Sequence, residues 1–400
     1  DVGRALAQRP AEAALPEDVV QVRLKPDLPM SVTGQDVGRA LAQRPAEAAL
    51  PEDVVQVRLK PDLPMLVTGQ EVGRALARQP AEITLQKEVA HINAYLVPGA
   101  NVVVEKASRP LSGQAEMSFG NKPVDGGHLL LTHDELAALR LSTAQQSRFI
   151  RRIYGSAEFI RGLSRYCLWI EDGHLDEALK IEGIAHRIEG VRAMRLASRD
   201  SGTKQMAARA HQMREMNIGQ GWTIVVPRVS SESRSYLPVG LLSAQGAIVA
   251  DSAFALYDAP LWNMALIASR LHLVWIATVC GKLKTDFRYS NTLGWNTFPV
   301  PTLTAQNKAD LTACAENILL AREAHFPATI ADLYDPSTMP DNLRRAHDRN
   351  DELLEGIYIG RRFKNDTERL EKLFALYTKM TATPAAPATP AKKIRRSKQA

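Results

Sequence analysis

The stretch "WTIVVPRVSSESRSYLPVGLL", from Trp222 to Leu242, decides how the middle of the chain is read. "WTIVVP" is rich in β-branched and aromatic residues and favours an extended strand, and "LPVGLL" is a second apolar run. Between them fall Arg228, Ser230, Ser231, Glu232, Ser233, Arg234 and Tyr236. The pattern predicts strand, polar loop, strand. Arg matches guanine edges with two parallel donors, Glu accepts from cytosine, and Ser serves either role. The loop is therefore a candidate reader of base edges. The alternative is an ordinary hairpin loop carrying a solvated ion pair.

Downstream, "AIVADSAFALYD" reads as a further strand pair. Leu261 to Cys280 is the most apolar stretch, interrupted by Asn263, Arg270 and His272, and fits one buried helix better than a membrane span. "VCGKLKTDFRYSNTLGWNTFPVP", Val279 to Pro301, then concentrates donors and rings. Lys282, Lys284 and Arg288 suit phosphate, and Tyr289, Ser290 and Asn296 suit hydrogen bonds to a nucleic-acid backbone or a base. Trp295 and Phe298 sit beside prolines and read as core anchors. After Pro301 the pattern is helical: "TAQNKADLTACAENILLAREAHF", then residues 340–358, then a last helix capped by Asp366 with Leu370, Leu373, Phe374 and Tyr377 on one face.

Upstream, "INAYLVPGANVVVEKAS" predicts two strands about Pro98-Gly99, and "RYCLWI" predicts another. "THDELAALR" starts a helix with Thr132 as cap and Glu135 three residues on. His128 and His133 are spaced i, i+5, which suits a capped helix start better than a helical metal pair. "SRFIRRIYGSAEFIRG" reads as a second helix. Residues 184–199 read as an amphipathic helix with Ile184, Ile188 and Val191 on one face and Arg192, Arg195 and Arg199 on another. The basic face is either a solvated surface or a set of phosphate contacts.

The chain opens on a repeat: residues 1–35 recur as 36–70 with Ser31 replaced by Leu66, and a third copy decays after Glu82. A solenoid needs at least three stackable units, so the repeats read as a spacer or as disordered chain. The 400 residues carry a formal net charge of +6, and Lys392, Lys393, Arg395, Arg396 and Lys398 in the tail hold five of those charges. A nucleic-acid surface in the folded part must then be a local patch. Three scattered cysteines support neither a disulfide framework nor a thiolate zinc site, and with no basic-then-apolar start they fit a reducing cytoplasm. There is no Pro-Pro dipeptide for a base-holding methyltransferase loop, no phosphate-binding GxxxxGK[ST], and no lysine two residues after an acid, as a restriction-type nuclease site wants.

"INAYLVPGANVVVEKASRPLSG", "MSFGNKPVDGGHLLL", "RYCLWI", "VVPRVSSESRSYLPVG" and the Val279–Pro301 stretch together resemble the target-recognition domain of the MmeI-like restriction–modification DNA methyltransferases. "LYDPSTMPDNLRRAHDRNDELLEGIY" resembles that family's C-terminal helical region, and the likeness runs over residues 88–380. The resemblance implies an α+β, mixed α/β recognition domain followed by an α-helical bundle. It also implies a parent protein that methylates adenine in a short asymmetric DNA site with S-adenosylmethionine. Nothing here resembles the family's nuclease and methyltransferase domains, so no catalytic or cofactor-binding residue carries over.

The expected organisation is repeats over 1–86, recognition domain over 87–301, helical domain over 302–380 and a disordered basic tail over 381–400. The expected partner is double-stranded DNA in a bacterial cytoplasm, with a separate methyltransferase domain or chain supplying the chemistry and no membrane. Base reading falls to Arg228–Tyr236, and backbone clamping to Arg192, Arg195, Arg199, Lys282, Lys284, Arg288, Tyr289, Ser290 and Asn296. The competing readings are an inactive remnant of a truncated methyltransferase gene and an unrelated small-molecule enzyme on an α/β core.

Overall fold

A computed structural model describes residues 92–98 and 101–382, with the backbone of two short strands before them. Those strands, β1 (Gln56–Arg58) and β2 (Thr84–Gln86), pair antiparallel and belong to a unit spanning Asp1–His91. The readings of the repeats as spacer or disordered chain, and of the basic tail after residue 382, lie otherwise outside the described residues.

The second unit starts with an isolated bridge between Ile92 and Pro98. The two strands expected in this region reduce to that bridge, because residues 101–107 run without regular structure. Strands β3 (Ser118–Phe119) and β4 (Leu130–Leu131) follow. Helix α1 (His133–Ala138) starts at the expected capping box: Glu135 N donates to Thr132 Oγ1 at 3.2 Å, and Thr132 N donates to Glu135 Oε2 at 2.8 Å. The helix expected from "SRFIRRIYGSAEFIRG" is instead the end of α2 (Thr143–Phe149), strand β5 (Ile150–Tyr154) and α3 (Ser156–Arg161). Ile150 and Ile153 are β-branched, and pairing with β6 (Tyr166–Leu168) overrides the local helical spacing.

A 3₁₀ turn at Asp172–His174 leads into α4 (Leu175–Leu179), α5 (Glu182–Ala197) and α6 (Ser201–Gln205). The strand–loop–strand forecast holds as β7 (Trp222–Pro227) and β9 (Gly240–Ser243), with a short β8 (Val229–Ser230) between them. β10 (Ala247–Val249) and β11 (Ala253–Tyr257) are the next pair, but they enter different sheets. The single apolar helix divides into α7 (Trp262–Ile267) and α8 (Arg270–Val279). Ser269 turns extended there and accepts from His272 N at 3.2 Å, capping α8 in place of a continuous helix. Then come β12 (Lys282–Leu283), β13 (Asp286–Arg288) and a π-helical turn at Asn291–Trp295. The remainder is helical: α9 (Ala305–Glu323), α10 (Ile330–Leu333), α11 (Asp341–Ile359) and α12 (Asp366–Thr381). Asn365, not Asp366, caps α12, accepting from Glu368 N at 2.9 Å.

One sheet runs β3-β11-β7-β9, all antiparallel; another runs β10-β5-β6-β4, with β10 parallel to β5; a small third runs β12-β13-β8. Gly120 lets β3 cross the β10–β11 turn, since a Cβ there would lie 2.3 Å from Ala250 O. Two main cores result. One joins the β3-β11-β7-β9 sheet to α7, α8 and the C-terminal helices, with Val300 and Leu311 in the same core. The other packs β4, β5 and β6 against α5, with Phe149, Leu168, Ile184 and Val191 inside. No helix among the described residues is long and apolar enough to cross a membrane.

Candidate nucleic-acid interface

The two donor-rich stretches, fifty residues apart in sequence, meet in the small sheet. β13 pairs with β8, placing Phe287 opposite Ser230 and Arg288 opposite Val229. Tyr289 N donates to Arg228 O at 2.8 Å, and Lys282 Nζ pairs with Glu232 at 2.9 Å. The β12–β13 hairpin turns on two residues, Lys284 and Thr285. Lys284 has φ +57, a left-handed conformation that glycine or asparagine usually fills at a two-residue hairpin. Lys282, Leu283, Lys284, Thr285 and Arg288 are exposed, as are Glu232 and Ser233. The result is a small polar ridge beside the Arg228–Tyr236 loop.

Arg228 is fixed at the start of that loop. Its guanidinium lies 4.8 Å from the Phe119 ring centre and 5.5 Å from that of Phe254, and Nη1 donates to Asp251 O at 2.8 Å. Its Nε is buried without a hydrogen-bond partner among the described residues. Phe119, 47% exposed on edge strand β3, was not singled out from sequence. Only the spatial neighbourhood of Arg228 reveals it. Arg234 is half-buried, with Nη1 3.3 Å from Ser230 Oγ. Burial lowers its pKa, opposed by Asp286 and Asp335, and an arginine so placed stays charged. Ser231 and Ser233 share a hydroxyl hydrogen bond at 2.9 Å, and Ser290 pairs with Thr292 at 3.2 Å.

Five of the expected contact residues face inward, and their roles are corrected. Arg195 is fully buried: it donates to the carbonyls of Pro123, Val124, Met206, Arg209 and Gln212 at 2.7–3.0 Å. It lies i+4 from Val191 and i+7 from Ile188, so it shares their apolar face. Burial, then the nearby Arg209, lowers its pKa. Tyr289 is buried, with its hydroxyl 2.9 Å from His272 Nε2. Burial pushes its pKa well up and that of His272 down to about 3, so this pair is neutral core. Asn296 is buried and donates to Ala107 O, pinning the irregular 101–111 segment. Ser230 and Tyr236 are buried as well. Arg192 and Arg199 are exposed, Arg192 within 3.4 Å of Glu189, on the helical layer of the second core. Trp295 and Phe298 are fully buried, as their settings predicted.

With this geometry in hand, the chain matches the family model of the MmeI target recognition domain over residues 98–302 and that of the MmeI C-terminal domain over 303–384. The chain belongs to the MmeI family. Over 284 residues it is 38% identical to the DNA methyltransferase A of Bacillus subtilis (strain 168), covering 71% of this chain and 32% of that protein. It also matches the solved structure of the type IIL restriction-modification enzyme MmeI in complex with DNA, at 31% identity and TM-score 0.68, over 75% of this chain and 40% of that one. The chain thus spans about a third of the length of that curated relative. The mixed α+β part is the MmeI target recognition domain and the helices after it are the MmeI C-terminal domain.

One strand–glycine–helix turn among the described residues is closed to a ligand. The strand–glycine–helix turn of β5, Gly155 and α3 is filled from within: Glu158 Oε2 accepts from Gly155 N at 3.0 Å, and a Cβ on Gly155 would lie 2.1 Å from Ser252 Oγ. A carboxylate occupying such a turn leaves no donor set for an anionic or polar ligand.

Proposed function

We propose that this chain reads a short duplex DNA sequence for an adenine-directed, S-adenosylmethionine-dependent methyltransferase of the restriction–modification type. Arg228, Ser231, Glu232, Ser233 and Arg234 are its base-reading set. Lys282, Lys284, Arg288 and Ser290, with Arg192 and Arg199, hold the phosphates. Methyl transfer belongs to a catalytic domain acting with this one, in cis or in trans. The observation that carries the reading is the junction of β8 and β13, which puts an arginine-bearing loop and a lysine-bearing hairpin on one surface. A phosphate clamp beside a donor loop separates the two tasks of DNA recognition, positioning and discrimination. The Lys282–Glu232 pair is exposed and opens at a cost of about 0–1 kcal/mol, freeing Glu232 to accept from cytosine.

Selection from a randomised duplex pool tests this. Wild type enriches one sequence, and the Arg228→Ala plus Arg234→Ala variant loses the enrichment while retaining nonspecific affinity. About six phosphate contacts give a log–log salt slope of roughly −5. No enrichment by wild type, or enrichment unchanged in the double variant, overturns the proposal.

A further inference from the structure

The far end of the reading loop is tied to the C-terminal helices by a contact whose proton count is informative. The Tyr236 hydroxyl lies 3.1 Å from Asp348 Oδ1 and 3.0 Å from Asp351 Oδ2, both on α11. A phenol has one hydrogen to donate and two carboxylates to meet. The other Asp351 oxygen accepts from Arg270 N at 2.8 Å, at the start of α8. Asp351 is 3% exposed and forms no ion pair among the described residues. The arginines around it are spent elsewhere: Arg270 on Asp366 at 2.5 Å, and Arg369 on Glu355 at 2.7 Å and on Asp366 at 2.8 Å. Under the ring, neutral His347 stacks on Tyr236 at 4.1 Å between centres. It is fixed between Tyr334 Oη at 2.7 Å and Ala268 O at 3.1 Å.

We propose that Asp351 is a positioning residue for the reading loop, acting as a carboxylic acid that donates to the Tyr236 oxygen while the Tyr236 hydroxyl donates to Asp348. This chain satisfies every atom: Arg270 N–H to Asp351 Oδ1, Asp351 Oδ2–H to Tyr236, Tyr236 O–H to the half-exposed Asp348. Ionised Asp351 breaks it, because two carboxylates then compete for one hydrogen. The C-terminal domain thereby sets how firmly residues 231–235 are presented, and the inference rests on the reading role proposed above for that loop. Burial, aided by Glu355, pushes the Asp351 carboxyl up to about 7, against the opposing pull of Arg270 N–H, Tyr236 and Arg369.

The charged and titratable groups facing this site are His347, Asp348 and Glu355 on α11, Arg270 on α8, Arg369 and Asp366 on α12, and Arg322 of α9 behind Tyr334. Burial, then Arg322, pushes His347 down to about 3, so it stays neutral through the range at issue. The sign follows from the raised value. Closure of the loop takes up a proton, so its protection is greatest in acid and falls as pH rises towards about 7, by up to about tenfold per unit, then levels off.

The test is amide hydrogen exchange of Ser231–Ser235 at pH 5 and pH 8, corrected for intrinsic rates, with α5 amides as the control for global opening. Wild type is expected to lose tenfold or more of its loop protection at pH 8. Asp351→Asn, whose amide donates to Tyr236 as the acid does, keeps the protection at both. Tyr236→Phe lacks it at both. Protection independent of pH in wild type, or Asp351→Asn no better protected than Tyr236→Phe, overturns the proposal. DNA selection with wild type and Asp351→Asn at the two pH values is a separate arm. If wild type enriches no sequence, the reading role fails while the exchange result still decides the clasp.

Discussion

Replacing Arg195 by Met separates a structural arginine from a DNA-binding one. Five hydrogen bonds from its guanidinium end on carbonyls of two separate segments, Pro123–Val124 and Met206–Gln212. Bonds from a charged donor contribute about 1.5–3 kcal/mol each, and even the low end for five comes to about 7.5 kcal/mol. The variant also escapes the several kcal/mol spent desolvating the cation, and Met fills part of the volume. The net expectation is a loss of about 3–5 kcal/mol, a large share of the 5–15 kcal/mol that holds a domain. Urea unfolding followed by fluorescence reads it, since Trp169 is buried in the same core. Arg195→Lys should lose nearly as much, because one ammonium cannot reproduce a five-donor fork. Arg199→Ala, on the exposed side, should stay within about 0.5 kcal/mol of wild type while the DNA salt slope falls by about one. If Arg195→Met unfolds like wild type and the salt slope falls instead, the side chain points to phosphate and the buried clasp is wrong.

Lys284→Gly should relieve the left-handed strain at φ +57 and leave stability unchanged or raised by up to about 1 kcal/mol, while DNA affinity drops for want of the charge. A stability loss above that size speaks against the hairpin geometry. Glu135 is held down to about 2 from an ordinary 4.5, first by the Thr132 backbone N–H and then by Arg187. Its contribution is present above the ordinary value and lost as pH falls towards 2, so Glu135→Gln should lower the urea midpoint at pH 7 and match wild type near pH 2. An equal deficit at both values would tie the effect to packing.

The parts legible in the sequence are those where a few neighbouring residues settle the outcome. The Thr132–Glu135 cap, the β7–loop–β9 pattern and the anchoring of Trp295 and Phe298 all rest on chemistry within a few positions. What the sequence hid depends on distant partners. "FIRRIY" becomes a strand because β6 and β10 lie alongside it. β10 and β11, three residues apart, serve different sheets because Asn121 of the β3 turn bonds to Val249 O. Arg195 looked like the next step of a basic face, and only carbonyls 11 to 72 residues away explain why it is inside. The Tyr236 clasp joins residues 112 and 115 positions apart, which spacing along the chain does not suggest.

The Arg228–Tyr236 loop is short, and both its ends are fastened to the fold beneath it. At one end Arg228 is gripped by Phe119, Phe254 and Asp251 O, and its own carbonyl accepts from Tyr289. At the other, Tyr236 is stacked on His347 and bonded to α11. Immobilising a flexible side chain on binding costs about 0.5–1.5 kcal/mol, so a loop already fixed keeps more of its contact energy for telling one base from another. That makes the buried residues beneath the loop matter to selectivity as much as the exposed ones matter to affinity. A change at half-exposed Phe119, which holds the Arg228 guanidinium, or at buried Asp351 should blur the preferred sequence at nearly constant nonspecific binding. A change on the ridge at Lys282 or Arg288 should weaken binding to every sequence alike.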